Sequence, residues 1–387
     1  MDGSPTRLNK LNNLTLIIGA AAFIVVISLA TILHPKEQLL QRENRKAASV
    51  PSFSTESLID GRYGEDLSAH INDNVALRQF WIDTRCFIDE MILMKTEEND
   101  ILIGEGSRLF AKHFKGYGDD SQLNKNIDEI EKFASQSDIP VSVMIIPSAG
   151  SINPEMLPKG SPQENEYEKL TQINSRLSKV CDVVYAFPVL TEHNREYIYF
   201  RNDHHWTTLG AYYAYTELAK KLGRKVREYD WENATRAGDF LGTHYAKSRY
   251  FKAIPDTITY FPSDTSIEIM KVVGDAQFET ERQIPMISTE KLSGYDKYAA
   301  FLDGNNAYTK VPGKGSGRIL IVKDSFANCM IPLMVDDFEQ IEVVDYRNYA
   351  YGLSNLAEKE NYDNIVILYS YATLETDNRL VYINKPR

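Results

Sequence analysis

The chain has 387 residues, of which 43% are hydrophobic and 25% charged, enough for one large folded domain or two modest ones. Its net charge of −11 excludes the basic footprint of a nucleic-acid-binding protein. Cys86, Cys181 and Cys329 lie far apart in the sequence, and no Cys-x-x-Cys pair is present, so a cysteine zinc site is not predicted. One disulfide with a free thiol and three buried thiols are both compatible with this pattern.

An uncharged apolar run of 20 residues, Leu14 to Leu33, stands near the N-terminus. A helix of that length covers the ~30 Å hydrocarbon core of a membrane. Arg7 and Lys10 precede the run, which favours a cytoplasmic tail at residues 1–13. A cleaved signal peptide is the weaker alternative, because the small-residue sequence SLAT falls late in the run. We therefore expect a single-pass signal anchor in the cell membrane, with residues 34–387 on the extracellular or periplasmic side.

Residues 34–98 are predicted to form a linker followed by a helical preface. The first part, 34–60, is polar and contains two prolines, as in a juxtamembrane stalk. The second part has helical spacing of its apolar residues, among them Phe80, Ile82, Phe87, Ile88 and Met91.

From residue 99 to 387, predicted strands and helices alternate. A hairpin is expected at 100–110 with Gly104 and Gly106 in its turn. Predicted helices cover 121–138, with Leu123, Ile127, Ile130 and Phe133 on one face, then 165–180 and 207–223, the last ending at Gly223; shorter helical stretches cover 327–337 and 353–360. Predicted buried strands cover 139–147, 182–190, 317–325, 341–347 and 364–370. This rhythm predicts an α/β sandwich with a mostly parallel sheet, in which the irregular segment 225–310 inserts loops or a small β excursion.

The stretch RNDHHWTTLG, residues 201–210, places an aspartate, two histidines and a tryptophan side by side. It is compatible with a metal site, a catalytic pair or a plain polar turn. Neighbouring residues of an extended segment point to opposite faces, so His204 and His205 are not expected to hold one ion together. Asp203 and His205, two positions apart, share a face, and a carboxylate behind an imidazole is the arrangement that activates a nucleophile. We favour the catalytic pair and predict neither a metal nor a cofactor.

Two neighbours in this stretch have predicted supporting roles. His204 is expected to point towards packing or a backbone partner. Trp206 is expected to pack behind the pair or, as the alternative, to form a wall of a sugar cleft.

The candidate nucleophile is Ser325, in ILIVKDSFANCM. An apolar strand ends at Lys323 and a small helix is predicted after Ser325, which places the serine at the carboxyl edge of the sheet, where α/β proteins bind ligands. The N–H groups at the helix start can stabilise an oxyanion. The alternative is that Asp324 or Ser325 is an ordinary N-cap.

The motifs resemble those of a known family. KDSF resembles the first block, GDS, of SGNH (GDSL-type) hydrolases, and DHHW is the name-giving motif of the DHHW protein family. It is similar to the D-x-H-W motif of the periplasmic alginate O-acetyltransferases, in which the Asp and His precede the Ser as they do here. Further segments resemble family counterparts in the same order, at 43–54, 73–81, 100–110, 146–158, 238–248 and 345–349. Two positions depart from the pattern: Lys323 replaces a small residue, and GNN at 304–306 stands where a GNH-like segment is expected.

The resemblance implies an SGNH-hydrolase-like three-layer sandwich and a serine mechanism. Ser325 would attack an acyl ester to give an acyl-serine, with His205 taking the proton and Asp203 fixing the imidazole. The implied function is an envelope-anchored acyltransferase or esterase on polysaccharide, with O-acetyl transfer favoured and the acyl donor supplied by a partner of the membrane-bound O-acyltransferase type. The alternative is a non-catalytic polysaccharide-binding or assembly protein on the same scaffold.

Three more residues are candidates for substrate or oxyanion binding. Arg347, at the end of a predicted strand, is placed to hold a substrate carboxylate or polarise the intermediate, or else forms a salt bridge at the sheet edge. Asn305 and Tyr346 are weaker candidates.

Overall fold

In the computed structural model the chain forms two compact units, Met1–Lys95 and Thr96–Arg387. The structure describes residues 7–34, 38–43, 45–116, 118–273, 277–357 and 361–385. Residues 1–6 of the predicted cytoplasmic tail, parts of the predicted linker and the last three residues of the stretch 353–360 lie outside the described residues.

In its described residues, the first unit contains four α-helices and two very short strands. Their bounds are α1 Arg7–Leu33, β1 Leu39–Leu40, β2 Arg45–Lys46, α2 Thr55–Ile59, α3 Arg62–Asn74 and α4 Arg78–Met91. Within α1, the stretch Asn12–Leu33 has a mean hydropathy of 2.8, and its most apolar window is not buried. It is long and apolar enough to cross a membrane. The polar linker is attached to α3 through Asp73, which binds Arg45 at 2.6 and 2.7 Å.

The second unit carries the remaining strands and helices. The strands are β3 Glu97–Glu98, β4 Ile101–Ile103, β5 Leu109–Ala111, β6 Val141–Ile146, β7 Asp182–Val184, β8 Thr235–Phe240, β9 Asp256–Tyr260, β10 Ser266–Val273, β11 Gln277–Pro285, β12 Tyr308–Pro312, β13 Arg318–Lys323, β14 Gln340–Val344 and β15 Asn364–Ser370. The helices are α5 Ser121–Gln136, α6 Ala149–Ile152, α7 Glu166–Leu177, α8 Ala186–Glu192, α9 Thr208–Lys221, α10 Thr243–Ser248, α11 Ile331–Met334, α12 Ser354–Ala357 and α13 Tyr371–Thr376.

Eight strands form the central sheet, in the order β11-β10-β12-β14-β13-β15-β6-β7. The five from β14 to β7 are parallel, and β12, β10 and β11 extend the sheet in antiparallel pairing. The strand β13 lies inside the sheet, with Ile321 level with Val343 of β14 and Val366 of β15. Ser325 therefore follows a central strand at the carboxyl edge.

Both faces of the sheet are covered. In β13, Ile319 and Ile321 belong to one hydrophobic cluster, whereas Leu320 and Val322 belong to the cluster on the opposite face. Such a strand needs a continuous apolar sequence, because alternate side chains enter different layers. The predicted face of α5 packs into the second cluster, and the inner residues of α9 pack into the first. The predicted three-layer α/β sandwich with a mostly parallel sheet is confirmed.

Two segments differ from the prediction in detail. The predicted strand 182–190 ends at Val184, and α8 begins at Ala186. Pro188 explains why β7 ends before the predicted residue. A proline has no N–H to donate to a neighbouring strand, but it is tolerated in the first turn of a helix. In the segment 225–310, β8 and β9 form a separate antiparallel pair, whereas β10, β11 and the first residues of β12 belong to the main sheet.

An ionic cluster fixes the connection between β5 and α5. The His113 Nε2 atom lies 3.0 Å from Glu375 of α13, and its Nδ1 lies 3.7 Å from Glu166 of α7. Glu166 is buried and also accepts hydrogen bonds from the N–H and hydroxyl of Ser148, at 2.8 and 2.5 Å. Hydrogen bonding to Glu166 and Glu375 raises the pKa of His113 to about 10. The imidazole is therefore charged at neutral pH and joins three elements.

We predict that His113→Gln lowers stability in a pH-dependent way. Because the folded-state pKa is raised from 6.5 to about 10, the stabilisation is complete below about pH 6.5 and is lost as the pH rises to 10. Urea unfolding should give a difference between wild type and variant of roughly 1–2 kcal/mol at pH 6.5. This difference should shrink towards zero at pH 10, and one that stays constant across that range would contradict the assignment.

Candidate active site

The loop at residues 200–206 is closed by its own backbone and held by one carboxylate. Tyr199 and Trp206 form an isolated bridge, and the N–H of Phe200 donates to the carbonyl of His205 at 3.2 Å. Asp256, at the start of β9 and 1% exposed, accepts from the N–H groups of Arg201 and Asn202 at 3.0 and 2.8 Å. These bonds hold the loop in a bent conformation.

Asp203 and His205 face each other within this loop. One carboxylate oxygen, Oδ1, accepts from the backbone N–H of His205 at 3.0 Å and lies 2.5 Å from its Nδ1. So short a contact requires a proton between the two atoms, which assigns the Nδ1–H tautomer to the imidazole. The other ring nitrogen, Nε2, is then free to accept a proton.

Ser325 brings the third group to this pair. After β13 the chain turns at Asp324 into a short 3₁₀ helix, Ser325–Cys329. Asp324 caps the turn by accepting from the N–H of Phe326 at 2.9 Å, and its second oxygen accepts from the N–H and hydroxyl of Ser370 at 2.8 and 2.6 Å. Asp324 is thus the N-cap, and the turn is tied to the end of β15. The Ser325 Oγ lies 2.8 Å from His205 Nε2.

Asp203 remains ionised although it is 2% exposed. Burial alone would raise the pKa of Asp203, but the two adjacent imidazoles and the N–H of Thr243 hold it well below its usual range. Its second oxygen, Oδ2, accepts from the Thr243 N–H at 2.7 Å and from the Thr243 hydroxyl at 3.0 Å. The carboxylate therefore accepts hydrogen bonds from two separate segments of the chain.

Gly242 makes this second contact possible. A Cβ atom at position 242 would lie 2.2 Å from Asp203 Oδ2, inside any allowed contact distance. The absence of a side chain lets α10 begin directly against the carboxylate. Local sequence pattern gave no reason for this glycine, since its partner lies about forty residues earlier.

Tyr298 supports both His205 and Ser325, and sequence reasoning missed it. Its ring stacks on the His205 imidazole with a centroid distance of 3.8 Å and an angle of 11°. Its hydroxyl donates to the carbonyl of Ser325 at 3.0 Å, and desolvation raises the pKa of Tyr298 well above the usual value. The residue comes from the irregular segment before β12, where no motif marks it.

His204 does not point away from His205 as predicted. The two rings lie 3.8 Å apart, because residues 201–205 form a bend and not an extended strand. The His204 Nδ1 donates to the Thr243 hydroxyl at 2.7 Å, since that hydroxyl gives its own proton to Asp203. Partial burial and the adjacent His205 lower the pKa of His204, so its imidazole is neutral.

The same bend brings together donor atoms that suit a metal. One atom from each of Asp203, His204 and His205 lies within 4.8 Å of the others. However, the Nδ1–H of His205 donates to Asp203, and its Nε2 faces the Ser325 hydroxyl. The hydrogen bonds of these atoms are those of an acid–base pair.

Trp206 and Tyr346 do not line a cleft. Both side chains are 0% exposed. Trp206 donates from Nε1 to the carbonyl of Phe326 at 2.9 Å, which joins the histidine loop to the serine turn. Tyr346 belongs to the hydrophobic cluster on one face of the sheet. Neither offers a surface to a substrate, so the cleft-wall alternative for Trp206 and the binding role for Tyr346 are wrong.

Arg347 and Lys323 meet at Asp345, directly after β14, and Asn305 contacts Lys323. The Arg347 guanidinium binds both Asp345 oxygens, at 2.8 and 2.5 Å, and remains partly exposed. The Lys323 ammonium is buried and lies 3.1 Å from Asp345 and 3.2 Å from Asn305 Oδ1. Burial lowers the pKa of Lys323 against the attraction of Asp345. The unusual lysine before the serine is therefore an internal ion-pair residue.

Asn305 is joined to the serine turn by a second contact. Its Oδ1 atom also accepts from Asn328 Nδ2 at 3.1 Å, and Asn328 lies in the 3₁₀ helix that begins at Ser325. Asn305 is itself exposed. The GNN loop thus lies beside the serine turn.

Comparison with known proteins gives a consistent set of relatives. A family model described as "DHHW protein" matches residues 124–344, more than half of the chain. A DHHW family protein from Eubacterium siraeum has 23% identity and a TM-score of 0.62, and the match covers 74% of this chain and 96% of that one. PatB1 of Bacillus cereus has 18% identity and a TM-score of 0.57 over 73% of this chain and 99% of that one.

Two further structures resemble the chain. PatB1 with a sulfonyl adduct gives 17% identity and a TM-score of 0.57, over 74% of this chain and 98% of that one. The O-acetyltransferase domain of Pseudomonas putida AlgJ gives 15% identity and a TM-score of 0.42, over 72% of this chain and 93% of that one. Among curated proteins, none matches the sequence significantly.

We predict that Gly242→Ala damages the site while the fold survives. The new methyl group must displace Asp203, and a misplaced catalytic group costs about 10²-fold in turnover. Gly238→Ala is the matched control, because a Cβ at that position meets nothing within 4 Å. Hydrolysis of an aryl acetate, with circular dichroism to check folding, measures both variants. Equal turnover in the two would contradict the role given to the close approach at Gly242.

Proposed function

We propose that this chain, which belongs to the DHHW protein family, is a serine-dependent acyltransferase or esterase of the cell envelope that acts on polysaccharide. The observation that carries the proposal is the continuous hydrogen-bond chain from Asp203 through His205 to Ser325 Oγ, with contacts of 2.5 and 2.8 Å. Within a buried carboxylate–imidazole–hydroxyl chain of this kind, each group has a defined role.

In the proposed reaction, His205 Nε2 takes the proton of the Ser325 hydroxyl as Oγ attacks the carbonyl carbon of an acyl ester. Asp203 keeps the imidazole in the Nδ1–H tautomer and stabilises its charged form. The imidazolium then gives its proton to the leaving alcohol, and an acyl-serine remains. A sugar hydroxyl, or water, takes the acyl group in the reverse sequence of steps.

The proposed oxyanion donors come from the serine turn and the neighbouring loop. The backbone N–H of Ser325 precedes the first hydrogen bond of the 3₁₀ helix and has no acceptor among the described residues. Asn305 uses its oxygen for Lys323 and Asn328, which leaves its NH₂ group as the second donor. Preorganised donors of this type stabilise the tetrahedral intermediate without further rearrangement.

Acetyl transfer to a glycan is the favoured form of the reaction. It is supported by the resemblance of DHHW to the D-x-H-W motif of alginate O-acetyltransferases. Arg347, whose side chain is 36% exposed, is proposed to contact a carboxylate of the glycan or the polarised intermediate.

The location proposed for the domain follows from α1. We propose that Leu14 to Leu33 anchors the chain in the cell membrane with its N-terminus in the cytoplasm, because Arg7 and Lys10 precede the apolar run. The second unit then faces the extracellular or periplasmic side. An acyl donor must reach it from across the membrane, and the proposed supplier is a membrane-bound O-acyltransferase.

We predict covalent modification of Ser325 by a sulfonyl fluoride. The hydroxyl polarised by His205 should react, so intact-mass analysis of wild type should show one adduct that Ser325→Ala abolishes and His205→Ala slows by about 10²-fold or more. The sulfonyl adduct in the PatB1 structure supports the choice of probe. Ser135→Ala is the matched control, because Ser135 is an exposed residue of α5 whose hydroxyl donates to the carbonyl of Lys132. A wild-type protein that stays unmodified would favour the non-catalytic alternative.

We also predict unequal effects of the two histidines on turnover. His205→Ala should reduce aryl acetate hydrolysis by about 10⁴-fold, because the three groups act as a unit. His204→Ala removes a tilted ring contact with His205 and one hydrogen bond but no proton-transfer atom, so turnover should fall by roughly tenfold or less. Circular dichroism of both variants provides the folding control. A folded His204→Ala protein as inactive as His205→Ala would contradict these roles.

A further inference from the structure

The helix α4 has an apolar stripe that faces outward. Its members recur at helical spacing and are between 37% and 64% exposed: Leu77, Phe80, Trp81, Phe87, Ile88, Met91 and Ile92. They continue into Leu93 and Met94, which are also exposed. A soluble protein buries such a stripe, and an exposed patch of this kind marks an interaction surface.

The opposite side of α4 is the buried one, and it carries polar groups. Cys86 and Asp89 are 5% and 7% exposed. Asp89 is paired with Lys95 at 2.8 Å and with Arg85 at 3.4 Å, so its charge is compensated inside the unit. The polarity of α4 is therefore inverted with respect to a helix on a water-exposed surface.

The stripe adjoins α1. The rings of Trp81 and Phe23 are 6.1 Å apart in an edge-to-face arrangement, and the N–H of Ala76 donates to the Thr31 hydroxyl at 3.1 Å. Trp81 donates from Nε1 to the carbonyl of Ala76 at 3.0 Å, so its polar atom is satisfied within the unit. Phe23 precedes Leu33 by ten residues, or about 15 Å of helix. Trp81 is thus level with the apolar part of α1 and not with its end.

From these contacts we infer that the exposed stripe of α4 inserts into the outer leaflet beside α1, with lipid acyl chains as its occupant. The inference rests on the membrane anchor proposed above. Exposed apolar side chains cover α1, and the stripe on α4 continues that apolar surface. The lipid that surrounds α1 would therefore also surround the stripe. A helix with an apolar stripe and a polar opposite side turns that stripe towards the acyl chains when it enters a membrane.

Insertion would give the first unit two contacts with the bilayer. A single spanning helix leaves the attached segment free to rotate about the helix axis, whereas a second inserted element fixes its orientation. The paired charges at Asp73 and Asp89 lower the cost of bringing the polar side of α3 and α4 close to the headgroups.

The test uses the full chain in lipid nanodiscs with and without brominated acyl chains, which quench tryptophan fluorescence on contact. The fluorescence of Trp81 is obtained by subtracting the emission of the Trp81→Phe variant, which keeps the stripe apolar. Wild type should lose a large part of one tryptophan's emission in brominated discs, and Trp81→Phe should lose little. A second variant, Phe87→Trp in the Trp81→Phe background, should restore the quenching, which guards against a folding defect at position 81.

The results distinguish a failure of the α4 insertion from a failure of the proposed α1 anchor. A chain that enters nanodiscs but shows equal emission in both lipids would overturn the insertion of α4 and leave the anchor intact. Equal emission together with a doubled mass of the complex would assign the stripe to a second copy of the chain. A chain that remains outside the discs would overturn both proposals.

Discussion

The buried carboxylate of Asp203 is the group on which the site depends. Among the described residues, no lysine or arginine forms an ion pair with it, and removing a charge from water costs several kcal/mol without compensation. Four hydrogen bonds stabilise it, two from His205 and two from Thr243. Each hydrogen bond to a charged group contributes about 1.5–3 kcal/mol, so the set offsets the desolvation. The start of α10 against the carboxylate and the glycine at position 242 both follow from this requirement.

The contacts around Asp203 show which parts of the site could be predicted from the sequence and which could not. The strand β13, the serine after it and the D-x-H spacing are local patterns, so the sheet and the pairing of Asp203 with His205 could be read from short stretches. The contacts of Gly242 and Thr243 with Asp203, and of Tyr298 with His205, cross 39 to 93 positions of the chain. They lie in the segment 225–310, where hydrophobic periodicity is weak and predicts no structure. The prediction for His204 was wrong because it assumed an extended segment, and the bend arises from Asp256, fifty positions away.

Lys323 shows how a departure from a family motif can be accommodated. The pattern that KDSF resembles has a small residue such as glycine at the position of Lys323. Its ammonium group points into an ion pair with Asp345 and a hydrogen bond with Asn305, and it leaves Ser325 Oγ beside His205. The lysine thus links the carboxyl ends of β13 and β14 to the GNN loop, the second departure from the pattern. The two departures are in direct contact and form one structural adaptation.

The acyl-serine is the species that distinguishes this account from a non-catalytic scaffold. The most direct measurement is rapid acid quenching of the full chain with an aryl acetate, followed by peptide mapping. We expect acetyl on the peptide that contains Ser325, accumulating before steady state in wild type and missing in Ser325→Ala. Acetyl that is absent from wild type under these conditions, or found on another residue and retained in Ser325→Ala, would contradict this expectation.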